Sequence, residues 1–170
     1  MRVAVVVGNP KPKSRTHDAG VLVAQKLTGA EPDVVIDLVD LGAGLLEFGN
    51  QAVSDAIQAV QNSDVAIFAS PTYKATYTGL LKLFLDQFPP DGLASVIGIP
   101  LMLGAGPAHA MAPDLLLKPV LVELGATCPM PGLYLIDKTF AEDPRLDTRH
   151  DSWATRARMW IGPVQERRRA

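Results

Sequence analysis

Cysteine is almost absent from this 170-residue chain: Cys128 stands alone, so no disulfide framework exists within it. It lies in the apolar stretch Ala126-Thr127-Cys128-Pro129-Met130 and reads as a buried bystander, not a nucleophile. Histidine is scarce too, and His17, His109 and His150 lack the paired spacing of a metal site. An excess of either charge is also missing. The formal net charge of −2 removes any whole-molecule attraction to nucleic acid or an anionic membrane surface, and the terminal Arg167-Arg168-Arg169 run reads as a solvated tail. No apolar run approaches the roughly 18 residues of a membrane helix. The opening Met1-Arg2-Val3-Ala4-Val5-Val6-Val7 is too short for a signal peptide and leads straight into a loop. A cytoplasmic protein is expected, with no membrane and no nucleic-acid partner. Repeats, low-complexity blocks and linkers are lacking as well, which predicts one domain over 1–170 whose last part, 149–170, is a C-terminal helix and basic tail.

What is present is a 48% apolar share, enough for a buried core, distributed in an alternation of strand and helix patterns. Val3 to Val7 is a continuous β-branched run, the mark of a strand buried on both faces. Ala19, Leu22, Val23 and Leu27 then form a helical stripe. Val34 to Leu38 predicts a second strand, and Val53, Ala56, Ile57 and Val60 a second helix. Asp64 to Ser70 predicts a third strand, followed by a stripe of Tyr77, Leu80, Leu81, Phe84, Leu85 and Phe88. Ser95 to Leu103 predicts the fourth strand, Asp114 to Leu124 a helix, and Leu133 to Ile136 the fifth strand. Trp153, Ala157, Trp160, Ile161 and Val164 place a last helix against the sheet. Strands alternating with helices imply a doubly wound, five-stranded parallel sheet in three α/β/α layers with right-handed crossovers. Two residues resist it. Pro100 removes a ladder donor inside the fourth strand, and Pro119 falls inside a helix.

Ligands of open α/β sheets bind beyond the carboxyl ends of the strands, and three unusual loops leave those ends. The first, Gly8-Asn9-Pro10-Lys11-Pro12-Lys13-Ser14-Arg15-Thr16, carries Lys11, Lys13 and Arg15 within five residues. Ser14 can cap the following helix, whose free N–H groups and dipole favour an anion. Two hydroxyls and Arg15 would give charge-assisted bonds to a phosphate monoester. The loop lacks the second glycine of Gly-x-x-x-x-Gly-Lys-Ser/Thr, and Gly-x-Gly-x-x-Gly is absent after the first strand, which argues against a Rossmann-type dinucleotide site there. The second loop, Ser70-Pro71-Thr72-Tyr73-Lys74-Ala75-Thr76, offers amides, a hydroxyl and an aromatic face suited to a planar ring. In the third, Leu103-Gly104-Ala105-Gly106-Pro107-Ala108-His109, the glycines would let backbone approach a flat ligand. A lone His109 is more often a structural hydrogen-bonder than an acid or base.

Taken together these loops resemble the NADPH-dependent FMN reductases, in particular the branch serving two-component alkanesulfonate and methanesulfonate monooxygenases. The middle motif of that family, Thr-Pro-x-Tyr-Lys-Ala-x-x-Ser-Gly-x-Leu-Lys, is similar to the run from Ser70 to Lys82. The first loop resembles Gly-Ser-Pro-Arg-x-x-Ser-Arg-Ser/Thr, and the third Gly-Gly-x-x-Ala-His, followed here by Leu117-Lys118-Pro119-Val120-Leu121. The resemblance runs from residue 1 to about 137 and implies a flavodoxin-like fold. It implies that Ser14, Arg15 and Thr16, with Asn9 and Lys11 in the same loop, hold the FMN phosphate. Pro71, Thr72, Tyr73 and Lys74 would frame the isoalloxazine, with Gly104, Gly106 and His109 opposite. Asn9 replaces the usual Ser, Gly104-Ala105-Gly106 replaces adjacent glycines, Leu115 stands where sulfonate-linked members often insert Tyr or His, and Pro113 enters that helix.

Hydride then passes from NADPH or NADH to the flavin, so the protein stacks rings and neutralises phosphates, and no catalytic acid is assigned. The resemblance also implies a homodimer or homotetramer, with a partner monooxygenase taking the reduced flavin. The alternatives are an FMN-retaining quinone, azo or nitro reductase and a flavodoxin-type electron carrier. Such carriers are usually strongly acidic with a Thr-rich phosphate loop, and this chain shows neither. A receiver domain would need acidic residues where the chain has Gly8-Asn9 and Ser70-Pro71.

Overall fold

The computed structural model describes residues 1–149 and 151–167, with side chains through Gly162. Among these residues five strands alternate with helices: β1 (Val3–Val7), α1 (Arg15–Thr28), β2 (Val34–Asp37), α2 (Gln51–Gln61), β3 (Val65–Pro71), α3 (Gly79–Leu85), β4 (Ile97–Gly104), α4 (Lys118–Glu123), β5 (Leu133–Ile136) and α5 (Trp153–Arg167). All ladders are parallel, in the order β2-β1-β3-β4-β5. That order, reversing direction between β1 and β3, defines the flavodoxin-like doubly wound fold.

The three layers follow from the two-residue period of the strands. Val3, Val5 and Val7 face a core with Ala19, Val23 and Leu27 of α1 and Trp153, Ala157 and Ile161 of α5. Ala4 and Val6 face the opposite core, with Val53, Ile57 and Val60 of α2, Leu81 and Phe84 of α3, and Leu121 of α4. Because both faces of β1 and β3 are covered, these strands are uniformly buried, which is why they read as continuous apolar runs. Trp160, on the margin of the α5 stripe, is 57% exposed instead of packed on the sheet. His150, the side chains of Val164 and Arg167, and Arg168 and Arg169 lie outside what the structure describes.

Element boundaries move where local signals compete. β2 ends at Asp37, and Leu38–Leu46 forms 3-10 turns broken at Gly42 (φ 52°), an element absent from the sequence expectation. The Tyr77–Phe88 stripe is helical only over Gly79–Leu85, capped by Thr78 and followed by Pro89-Pro90. β4 starts at Ile97, because Val96 still turns back with its N–H on the Leu93 carbonyl (2.9 Å). The Asp114–Leu124 helix is split: Pro113–Leu117 is a π-helical turn, with the Lys118 N–H on the Pro113 carbonyl, and α4 begins only at Lys118. Pro119 has no N–H to offer and its ring crowds the carbonyl four residues back. The widened turn just before it accommodates both problems.

Pro100 is resolved by strand register. Ile97 donates to the Asp64 carbonyl and Leu103 accepts from the Thr72 N–H, so odd positions of β4 bond towards β3. Gly98 donates to Thr127 and Gly104 accepts from the Asp137 N–H, so even positions bond towards β5. Pro100 therefore points its missing donor at the β5 side, where pairing starts only at Leu101 with Leu133. No ladder bond is lost.

Two expected outcomes follow from this packing. A Cβ on Gly8 would lie 2.6 Å from the Leu81 Cβ and 3.3 Å from its Cα, so backbone of α3 would have to move. Gly8→Ala is expected to destabilise the fold by about 1–3 kcal/mol, the usual cost of overpacking, seen as a lower urea midpoint at unchanged m-value. The Cys128 thiol is pushed up to about 11, by burial first, with Lys118 opposing and Asp114 adding to it. At pH values well below that it is protonated. Cys128 is half-buried, and its reaction with a disulfide reagent near pH 8 is expected to be at least about 10-fold slower in the native protein than in urea, where a free thiol titrates near 8.5, because the smaller thiolate fraction outweighs the greater nucleophilicity of the more basic thiolate. Equal rates would show that the thiol is not buried.

Candidate functional site

The loops leaving β1, β3, β4 and β5 meet at the carboxyl edge of the sheet around a cleft of about 360 Å³. On one side is the start of α1. The Ser14 hydroxyl accepts the His17 N–H (3.3 Å) as the N-cap, and Asn9 is tied down by two bonds, accepting from the Lys11 N–H and donating to the Thr16 hydroxyl, both 2.9 Å. Asn9, Ser14 and Thr16 are all buried. Both hydroxyl oxygens act as acceptors within the loop, so each retains its own proton for an outside acceptor. Lys13 turns with φ 48°, its N–H held by Asp37 Oδ2 at 3.0 Å. The Asp37 carboxyl is raised above its ordinary value by burial first, with Asp40 adding to this and the Lys13 N–H and His17 opposing it.

On the other side, Ser70 and Thr78 lock the chain after β3. Ser70 Oγ accepts the Thr78 N–H (3.0 Å) and donates to the Pro71 carbonyl (2.9 Å). The Thr72 N–H reaches across to the Leu103 carbonyl at 2.6 Å. Residues 73–76 close a tight turn with reciprocal bonds between Tyr73 and Thr76, and Lys74 and Ala75 both have positive φ (52° and 69°). This is the I′ geometry that normally calls for Asn or Gly, and it leaves Tyr73 half exposed.

Asn9, Lys11, Ser14, Arg15, Thr16, Pro71, Thr72, Tyr73 and Gly104 line the cleft together, joined by Leu103, Ala105 and Asp137. Lys74, Gly106 and His109 do not line it. Lys74 sits in the turn, the Gly106 carbonyl accepts the Tyr134 hydroxyl (2.8 Å), and His109 lines a separate groove of about 290 Å³ with Ala75, Met111, Leu115 and Leu116. Gly104 has a packing reason of its own: a Cβ there would fall 1.8 Å from the Tyr134 hydroxyl. Asp137, which sequence reasoning missed, follows β5 and pairs with Arg15 at 3.0 Å. Its only local signal was an acid placed just past the fifth strand.

The donor chemistry fits a phosphate ester joined to a flat ring. Hydroxyl protons, Arg15, Lys11 and the free N–H end of α1 gather at one end. Pro71, Tyr73, Leu103 and Ala105 wall the other. Two buried polar atoms of the lining, Thr72 Oγ1 and Asp137 Oδ1, lack a hydrogen-bond partner. Among the described residues no cluster of three metal-ligating side chains occurs, and no helix is long and apolar enough to cross a membrane.

Known proteins resemble the chain over nearly its whole length. An Escherichia coli protein named FMN reductase (NADPH) is 31% identical over 163 residues, spanning 89% of this chain and 85% of that one. The NADH-dependent FMN reductase SfnF of Pseudomonas putida is 30% identical over 149 residues, spanning 82% and 80%. The crystal structure of an NADH:FMN oxidoreductase in its apo form superposes with a TM-score of 0.76 at 30% identity, covering 95% of this chain and 86% of that one. The family model described as NADPH-dependent FMN reductase matches residues 1–141, and the chain belongs to that family.

Proposed function

We propose that the chain, folded as one domain over 1–170, is a flavin reductase that transfers hydride from NADPH or NADH to FMN in the cleft at the carboxyl edge of the sheet. The observation that supports this most directly is the gathering of Ser14, Arg15 and Thr16, at the start of α1, against the wall formed by Pro71, Thr72 and Tyr73. The bound isoalloxazine supplies the hydride-accepting chemistry. The protein's part is placement. Ser14 and Thr16 would hydrogen-bond the phosphate through their hydroxyls, Arg15 and Lys11 would offset its charge, and the Thr72 hydroxyl would offer a bond to the polar part of the flavin. Tyr73, half exposed on its constrained turn, positions the ring while leaving approach from solvent for the nicotinamide. Hydride transfer between stacked rings draws on orientation, not on a protein proton, in keeping with a cleft whose acid, Asp137, is already paired with Arg15.

In this reading the flavin exchanges and is delivered, reduced, to a monooxygenase partner in the cytoplasm. Beside the Tyr73 turn, Met111, Leu115 and Leu116 present apolar side chains to solvent at 59%, 65% and 40% exposure. Covering them by a second copy supports a homodimer or homotetramer, and light scattering is expected to give a mass of at least twice 18.2 kDa; a monomer at micromolar concentration contradicts it.

Flavin titration tests the site. Arg15→Ala is expected to weaken FMN by about 10- to 100-fold, since a hydrogen bond to a charged group is worth about 1.5–3 kcal/mol, while riboflavin, lacking the phosphate, is little affected. Equal losses for both flavins would remove the phosphate role. Nicotinamide oxidation that requires added FMN, with flavin lost on gel filtration, marks a free-flavin reductase; reduction of a quinone, azo or nitro compound at the expense of the nicotinamide, by protein that keeps its FMN, marks the alternative.

A further inference from the structure

We infer that Asp137 is an internal counter-charge that competes with the flavin phosphate for Arg15 and keeps FMN exchangeable. The inference rests on the reading of the cleft as the FMN site. Arg15 opens α1 and Asp137 directly follows β5, so 122 positions separate them in sequence. The fold brings Arg15 Nη1 to 3.0 Å from Asp137 Oδ2, and the Asp137 backbone is anchored by its N–H on the Gly104 carbonyl, also at 3.0 Å. The charged side chains lining the cleft are Lys11, Arg15 and Asp137. A lone carboxylate thus stands among groups otherwise suited to an anion.

The pair has little to do for the fold. Arg15 is 60% and Asp137 30% exposed, and ion pairs this open contribute little to stability. Within the protein Asp137 Oδ1 has no hydrogen-bond partner, so the carboxylate is fixed through Oδ2 and Arg15 alone. Towards a phosphate dianion, Asp137 acts twice in one direction. It competes for Arg15 Nη1, and its own charge repels the incoming group. Lys11 and the α1 terminus still attract the phosphate, so the site binds FMN, but at reduced affinity. A reductase that hands on its product flavin on every turnover needs that weakness, whereas one that retains FMN does not.

Asp137→Asn keeps the shape and removes the charge. Fluorescence titration is expected to show FMN binding about 10-fold tighter, the weight of roughly one unit charge at partly solvated range, with riboflavin changed less than about 2-fold. Asp137→Ser should move FMN in the same direction, which separates loss of charge from any bond made by the new amide. In an Arg15→Ala background the gain should shrink, because competition for the guanidinium is gone. On gel filtration the Asn variant is expected to retain FMN that the parent loses. FMN affinity unchanged or lower in both variants overturns the inference. So does an equal change for riboflavin, the result expected if Asp137 instead bonds a ribityl hydroxyl. A parent protein that binds neither flavin overturns the FMN reading itself; a parent that binds FMN, with both variants unaltered, overturns only the role of Asp137.

Discussion

The site depends on the hydroxyl of Thr78. Buried at 5% exposure, it donates to the Gly8 carbonyl at 2.6 Å and accepts the Leu81 N–H at 3.2 Å, while the Thr78 N–H enters Ser70 Oγ at 3.0 Å. One residue, through its hydroxyl and its own N–H, thereby joins the end of β1, the end of β3 and the first turn of α3. The anion-binding loop and the ring-framing loop leave those two strands, so the distance between them is set before any ligand arrives. Gly8 completes the arrangement, because only a residue without a side chain lets α3 approach closely enough for Thr78 to reach the carbonyl.

From that junction the two halves of the cleft are built on different principles. The phosphate half is regular: a capped 14-residue helix aims its free N–H groups at the site, and Asn9 braces the loop against Thr16. The ring half is irregular. Lys74 and Ala75 occupy left-handed conformations that non-glycine residues adopt at some cost, held by the reciprocal bonds between Tyr73 and Thr76. The constrained turn projects Tyr73 at the cleft's edge, where a second ring can still approach.

Much of this was legible in local sequence. β1 and β5 coincide with their apolar runs, the α1 and α2 stripes face the cores as their spacing implies, and the first two loops converge as read. What escaped is what pairing at a distance decides. Pro100 conflicts with a central strand until one knows that β5 begins one residue beyond it. Gly104 looked like a ligand-facing glycine, yet its missing Cβ also makes room for Tyr134 from the neighbouring strand. His109, three residues past Gly106, turns into a different groove through a short 3-10 turn. Asp137 has no motif at all, and only the closing of the sheet gives it a partner in the first loop.

The distribution of unsatisfied polar atoms ties these points together. Among the described residues, buried side-chain atoms without a partner are Asp37 Oδ1, Thr72 Oγ1 and Asp137 Oδ1. All three stand at or just past the carboxyl ends of strands, in β2, after β3 and after β5. The opposite edge behaves otherwise: Asp33 accepts the Val3 N–H at 2.7 Å and Asp64 the Arg2 N–H at 2.6 Å, so acids there close backbone that the sheet leaves open. Aspartate therefore closes sheet backbone at one edge, while at the other Asp37 and Asp137 each bond through Oδ2 and leave Oδ1 without a protein partner. An oxygen that no protein group bonds is free to bond a bound ligand or water, and two of the three, Thr72 Oγ1 and Asp137 Oδ1, line the cleft. Their collection where the loops converge is what a sheet looks like when one of its edges is kept for binding.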